Sequence, residues 1–303
     1  MASSGTTRAI AAALVANVGI ATAKFVGYLL SDSSAMLGES VHSVADTVNE
    51  LLLMVGKRRA RKRPDALHQF GYGRSRYFYS FVVALTMFTL GSAFTLYEGY
   101  RKITHPEPLS TPLVPILILV VAALFEGYSL RTARNQSRPL KGSSSWWGFV
   151  RNSRTPELPV VLLEDTAALT GLSLAFIGVT LTILTGNAVW DGLATVGIGV
   201  LLGGVATLLI IETHSLLIGE GATSGQYATI QSALETARHV DRIFELRTQY
   251  LAPDELLVTA KVVFDPKMEL ETVADAINGA EADVRAVVPT VRAIYLQPDY
   301  ERH

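Results

Sequence analysis

Six long apolar segments, separated by short polar stretches, dominate the first two-thirds of the chain. Their approximate limits are 8–30, 33–56, 77–103, 110–132, 156–185 and 189–218. About twenty apolar residues make a helix long enough to cross roughly 30 Å of hydrocarbon. The pattern therefore predicts an all-α transmembrane domain of six helices, which we assign to residues 1–219.

The pattern changes after about residue 220, where the apolar runs become short. Alternating apolar and polar positions predict strands, and apolar positions spaced by three and four predict helices. The predicted order is helix 224–238, strand 244–250, strand 256–264, helix 270–284 and strand 291–296. This order is typical of an open ferredoxin-like layer, so we assign residues 220–303 to a small α+β domain.

The basic residues of the loops predict the orientation in the membrane. Residues 57–63 contain six Lys and Arg side chains, and the 131–155 connection adds six more without any acidic residue. The turns at the other ends of the segments are almost free of basic residues. By the positive-inside rule both termini and the α+β domain are cytoplasmic. We expect an integral, multi-pass protein of a bacterial-type plasma membrane.

Composition excludes two classes of function. The formal net charge is −1, so no overall positive field favours nucleic acid as a partner. The chain has no cysteine, which excludes disulfides and thiolate metal sites. Any metal site must therefore use nitrogen and oxygen ligands.

A stripe of polar residues interrupts the second apolar segment. Glu39, His42, Asp46 and Asn49 recur at helical spacing on one face. Ionisable groups inside a membrane helix cost about 2.5–3.5 kcal/mol each and usually face a protein interior or a water-filled path. His42 and Asp46, at i and i+4, can share one cation. The alternative is a polar pair that only holds helices together.

The fifth segment carries two adjacent carboxylates, Glu164 and Asp165. A four-coordinate cation held by His42 and Asp46 needs two further ligands, and Asp165 is the best candidate for the third. Glu164 points about 100° away around the helix. It either bends back to bind metal or pairs with a loop arginine or with Lys24.

Asp65 and His68, at i and i+3 before the third segment, form a second candidate pair. They can hold a cation at the membrane surface, or they belong to an ordinary surface turn. The other charges in or near the segments mostly lie near predicted ends, where snorkelling or helix capping explains them. Glu126 lies deeper in its segment and is the least explained of these charges.

Several motifs together resemble the cation diffusion facilitator family. They are SSAMLGESVHSVAD in the second segment, HQFGYGR before the third and LLEDTAA in the fifth. The resemblance covers nearly the whole chain. It implies a homodimeric antiporter, not an enzyme, that exports a divalent metal, most often zinc, in exchange for protons and without a further cofactor. The Glu164-Asp165 pair resembles a branch of that family whose fifth helix carries Glu-Asp.

The resemblance also implies a ligand set. His42 and Asp46 match the second-span ligands, and Asp165 matches one of two usual fifth-span ligands. Val161 stands where the other is usual, which leaves Glu164, Asn49 or water to complete the site.

A second family site is matched by Asp65 and His68, with Tyr72 at its third position.

Two alternatives to transport remain open from the sequence. A transporter-like shell that has lost a ligand can act as a metal sensor or as a scaffold for a partner protein. An intramembrane metalloenzyme around His42, Asp46 and Asp165 is less favoured, because no HExxH motif or other general base accompanies these residues.

Overall fold

The computed structural model describes the backbone of residues 3–106 and 113–299, and the side chains of residues 17–106 and 114–299. The chain divides into two compact units. The first contains the long helices. The second contains the C-terminal α+β domain together with the loops 57–77 and 152–156.

Six long helices occupy the predicted membrane spans, the third of them as a continuous helix with a π-helical stretch at Met87–Ala93. They are α1 (Ser3–Ser31), α2 (Ser34–Ala60), α3 with α4 (Ser75–Thr86 and Phe94–Thr104), α5 (Leu113–Lys141), α7 (Glu157–Thr185) and α8 (Val189–Ile218).

Four of these helices, within the described residues, are long and apolar enough to cross a membrane by length and composition. They are Ser75–Thr104, Val114–Lys141, Glu157–Thr185 and Val189–Ile218. The polar stripe and basic end of α2 lower its hydropathy. The predicted span 8–30 begins among side chains that lie outside the described residues, as does the start of the span 110–132.

The polar connection after the fourth span is more helical than its sequence pattern suggests. Helix α5 continues to Lys141, nine residues beyond the predicted end of the span, and a short helix α6 follows at Trp146–Asn152. Residues 133–138 are mostly good helix formers, so the helix continues after the chain has become too polar for lipid. Span prediction from hydropathy detects the end of the apolar run and not the end of the helix.

Helix α2 is fixed at its first turn by an aspartate of α8. Asp191 is fully buried and accepts hydrogen bonds from the Ser34 backbone NH (2.8 Å), the Ser34 hydroxyl (3.1 Å) and the Ser33 hydroxyl (2.7 Å). A carboxylate at a helix N-terminus satisfies unpaired NH groups and interacts favourably with the helix dipole. These contacts fix the start of the helix that carries the polar stripe.

The C-terminal domain has the predicted order of elements. Helix α9 (Ser224–Glu235), strands β1 (Arg242–Ala252) and β2 (Glu255–Val263), helix α10 (Leu270–Val287) and strand β3 (Val291–Asp299) form one layer of helices and one sheet. The sheet order is β1-β2-β3, with β1 antiparallel and β3 parallel to β2. This arrangement confirms the predicted ferredoxin-like α+β class.

The core of this domain lies between the sheet and the two helices. Its fully buried side chains include Ile230 and Leu234 of α9, Leu256 and Val258 of β2, and Val284 of α10. The predicted hairpin turn is also present, since Ala252 pairs with Glu255 across a two-residue loop. The prediction that Leu270 belongs to the apolar face of α10 is wrong, because its side chain is 85% exposed.

Candidate metal-binding cavity

The polar stripe of α2 faces the interior of the helical unit. Glu39 and Asn49 are fully buried, and the His42 side chain is 1% exposed. His42 Nδ1 lies 3.5 Å from Asp46 Oδ1. Within the described part of the chain, neither ring nitrogen of His42 nor Asp46 Oδ1 has a hydrogen-bond partner. Buried polar atoms are rarely left unpaired, and those at functional sites often await a ligand.

The two carboxylates of α7 are also buried, and each contacts a different helix. Glu164 Oε1 accepts a hydrogen bond from Asn49 Nδ2 of α2 at 2.7 Å. Asp165 Oδ2 accepts one from Ser129 Oγ of α5 at 3.0 Å. The adjacent acids therefore point to different neighbours, as the 100° step around a helix requires. Glu164 pairs with Asn49, and Lys24 has another partner.

A cavity of about 520 Å³ lies between helices α1, α2, α5 and α7. Among its lining residues, all within the described part of the chain, five are Asp or Glu and none is Lys or Arg. The lining residues are Asn17, Ile20, Ser43, Asp46, Glu50, Leu53, Phe125, Glu126, Tyr128, Ser129, Thr132, Ala133, Gln136, Leu158, Val161, Glu164, Asp165 and Ala168.

Such a cavity attracts cations, because its acidic groups are not balanced by basic ones within its own walls. In the described residues, however, no three His, Asp or Glu side chains converge closely enough to ligate one ion directly. The cavity is large enough for a cation that keeps part of its water shell. Direct ligation by residues of several helices requires the cavity to contract.

Two acidic residues of the cavity were not among the predicted site residues. Glu50 accepts a hydrogen bond from Asn17 of α1 at 3.1 Å, and Glu126 lines the cavity from α5. Both are charged residues within or beside apolar segments. The available signal in the sequence was the position of Glu126 deep within its apolar segment, which made it the least explained of the charges there.

Snorkelling does not account for Lys24, which is fully buried. Its Nζ lies 3.0 Å from Glu39 Oε2 and donates a hydrogen bond to Ser43 Oγ at 2.7 Å. A buried lysine is stable only when paired. The ion pair joins α1 to α2 one turn from His42. Glu39 also packs closely against α7, since a Cβ on Gly171 would lie 2.6 Å from Glu39 Oε1.

The Asp65 and His68 pair lies in the exposed loop between α2 and α3. His68 Nδ1 is 3.4 Å from Asp65 Oδ1, but Asp65 also accepts hydrogen bonds from the backbone NH groups of Leu67 and His68 and from the Tyr72 hydroxyl at 2.5 Å. The Tyr72 and His68 rings lie 4.3 Å apart. These contacts favour the surface-turn interpretation, because the carboxylate already accepts three hydrogen bonds from within the turn.

We expect Asp65→Asn to lower the pKa of Tyr72. The hydrogen bond from the Tyr72 hydroxyl, followed by that from the His68 backbone, lowers the pKa of Asp65. The same hydrogen bond to Asp65 raises the pKa of Tyr72. The charged form of Asp65 therefore stabilises the loop at pH values above the ordinary aspartate pKa of about 3.9. This stabilisation is lost as the pH falls further, through the lowered pKa of Asp65. Spectrophotometric titration of the phenolate, taken as the difference from Tyr72→Phe, measures the midpoint.

The matched control for this titration is Asp254→Asn. Asp254 is an exposed aspartate of the same unit and pairs with Arg76. The Asp254→Asn substitution should leave the titration midpoint of Tyr72 unchanged. An unchanged Tyr72 midpoint in Asp65→Asn would show that the charged Asp65 does not hold the Tyr72 hydroxyl.

The fold and cavity define a multi-pass integral membrane protein with an acidic interior cavity and a C-terminal α+β domain. Residues 10–218 match the family described as the cation efflux transmembrane domain. The chain therefore belongs to the cation efflux, or cation diffusion facilitator, family. This membership confirms the resemblance noted in the sequence, and it places the chain among transporters and not among enzymes.

Several curated proteins are similar to the chain. The proton-coupled zinc antiporter SLC30A9, mitochondrial, of Xenopus laevis is 30% identical over 92% of this chain and 49% of its own length. Metal tolerance protein C4 of Arabidopsis thaliana is 29% identical over 87% and 58%. Magnetosome protein MamB of Magnetospira sp. is 26% identical over 92% and 90%. The chain thus spans about half the length of the SLC30A9 relatives it matches.

Among solved structures, a variant C-terminal domain of MamM aligns with 26% of this chain and 94% of its own length. The sequence identity is 16% and the TM-score is 0.25.

Proposed function

We propose that the protein is a divalent metal transporter that exchanges metal for protons by alternating access. The observation that carries the proposal is the acidic cavity between α1, α2, α5 and α7, in a chain of the cation efflux family. Zinc is the proposed substrate, because the names of the SLC30A9 relatives specify zinc. Manganese, iron and cobalt also accept nitrogen and oxygen ligands and are the competitors to test.

We assign the metal ligands to His42 and Asp46 of α2 and to Asp165 of α7. His42 and Asp46 face each other with unpaired donor atoms, and Asp46 and Asp165 line the same cavity. The Asn49 and Glu164 pair lies beside them and links α2 to α7. It supplies further oxygen atoms if the two helices approach. The surface pair of Asp65 and His68 is a weaker candidate for a cation.

Metal and protons compete for the same ligands in this proposal. An imidazole or carboxylate must lose its proton before it binds a metal ion, so metal loading releases protons and protonation expels metal. If the cavity opens alternately to the two sides of the membrane, this competition couples metal flow to proton flow in the opposite direction. The chain then needs no further cofactor.

The remaining features of the proposal concern organisation. Residues 1–219 form the transport domain and residues 220–303 a cytoplasmic domain, with both termini cytoplasmic as the basic loops predict. We also propose a homodimer, as the family resemblance implies. The host membrane is proposed to be a bacterial-type plasma membrane, although the SLC30A9 relatives are named as mitochondrial.

The test is metal uptake into liposomes that contain the purified chain. Zinc, manganese, iron and cobalt are compared with and without an imposed proton gradient. We expect gradient-dependent uptake, fastest for zinc. Faster gradient-dependent uptake of another metal would show that this metal, and not zinc, is the substrate. Binding without flux for every metal would contradict transport and support the sensor or scaffold alternative.

A further inference from the structure

We propose that Glu126 of α5 is a metal-binding carboxylate that completes the ligand set left incomplete at Val161. The inference rests on the proposed function and extends it, because it adds a third helix to the site. The usual family ligands come from the second and fifth spans only, whereas Glu126 lies in the fourth. The substrate it would bind is the same divalent cation.

The first supporting observation is the position of Val161. It lies one turn before Asp165 on α7 and lines the cavity, so a ligand at this position would face the metal. Valine cannot bind a cation. The site therefore has an apolar surface where one polar group is needed, and a tetrahedral ion held by His42, Asp46 and Asp165 lacks a fourth protein ligand.

The second observation is the position of Glu126. It lies three residues before Ser129, on the same face of α5, and Ser129 donates a hydrogen bond to Asp165. Glu126 lines the same cavity, where its charge is attracted by Lys24 and repelled by Asp46 and Asp165. The ammonium group of Lys24 is already paired with Glu39. No hydrogen bond or ion pair to its carboxylate is found in the described residues. A carboxylate without a partner at this depth is expensive unless it serves a cation.

A third and independent observation indicates that a cation belongs in this region. His42 is 99% buried, its two ring nitrogens have no hydrogen bond within the described residues, and Nδ1 points to the equally unpaired Oδ1 of Asp46. Asp46 and Glu126 both line the cavity, whereas His42 does not line it and contacts it through Asp46.

The carboxylates of α2, α5 and α7 do not converge to ligating distance in this structure. The cavity volume suits a partly hydrated cation that the acidic groups hold through water. Glutamate is longer than aspartate by one methylene group and reaches farther into the cavity. When the cavity contracts around the ion, Glu126 can replace a water in its coordination shell.

The experiment measures zinc affinity by calorimetry and zinc flux in liposomes for the full-length chain. Glu126→Gln keeps the size of the side chain and removes its charge. We expect it to weaken zinc binding roughly 10- to 100-fold, the range seen when a group that supports a metal site is lost. The matched control is Glu212→Gln, the same change in α8, where Glu212 pairs with Arg151 outside the cavity. The control should bind zinc normally.

A second variant tests the replacement of Val161 directly. Val161→Asp, introduced into Glu126→Gln, places a carboxylate at the vacant position and should recover most of the lost affinity. Failure to recover it would overturn the idea that Glu126 compensates for Val161. Normal zinc binding and flux in Glu126→Gln would overturn the role of Glu126 altogether.

The outcomes also separate this inference from the proposed function. If Asp46→Asn and Asp165→Asn abolish flux while Glu126→Gln does not, only the role of Glu126 fails. If the unmodified chain moves no metal at all, the transport proposal itself fails. Size-exclusion profiles and thermal unfolding of each variant establish that the compared proteins are folded.

Discussion

Asp165→Asn is expected to reduce proton-driven metal flux roughly 100-fold or more, since even the loss of a supporting group costs a metal site 10- to 100-fold. Asparagine has nearly the same volume and still accepts the hydrogen bond from Ser129, so α5 and α7 keep their contact. It loses the charge and the proton that the exchange requires. Zinc affinity in detergent measures the effect of the lost charge on binding. Flux into liposomes measures the effect of the lost proton on exchange.

Asp46→Asn is the companion variant on α2. It should show the same loss, because Asp46 faces both His42 and the cavity. Ser129→Ala is the matched control, since it removes the hydrogen bond to Asp165 and leaves every carboxylate in place. We expect a smaller loss in this control. Full flux in Asp165→Asn would show that α7 contributes no ligand.

Lys24→Met is expected to lower the free energy of unfolding by about 3–5 kcal/mol, the cost of leaving one partner of a buried ion pair without the other. Glu39 would remain in the interior with neither oxygen paired, because Oε1 already lacks a partner in the described residues. Methionine fills most of the volume of lysine, so the effect reports the lost charge. Thermal or denaturant unfolding in detergent measures it.

The double variant Lys24→Met with Glu39→Gln provides the control. It removes both charges and should recover most of the stability, since replacing a whole buried ion pair costs little. Equal stability of the single variant and the unmodified protein would show that Glu39 is not left as an uncompensated buried charge. Such a result would also weaken the view that α1 and α2 are joined by charge next to the cavity.

Much of the architecture could be predicted from the sequence, because it follows from local periodicity. The six apolar runs, the polar stripe through His42 and Asp46, and the alternation in the C-terminal domain each lie within one element. Their interpretation needs only the helix and strand repeats. Hydropathy could not locate the end of α5 or the presence of α6, since helix formation continues in polar sequence.

The contacts between distant elements could not be predicted in the same way. Asn49 meets Glu164 across 115 residues, and Ser129 meets Asp165 across 36. Lys24 was expected near a membrane surface, although it pairs with Glu39 in the interior. Which polar residues share one cavity depends on helix packing, and a single sequence does not encode that packing in any local pattern.

The most direct test of the account records internal pH and internal zinc together in liposomes that contain the full-length chain. We predict that an imposed zinc gradient drives protons in the opposite direction, and that Asp165→Asn abolishes both signals. Zinc movement without proton movement would contradict exchange. Zinc binding with neither movement would contradict transport itself.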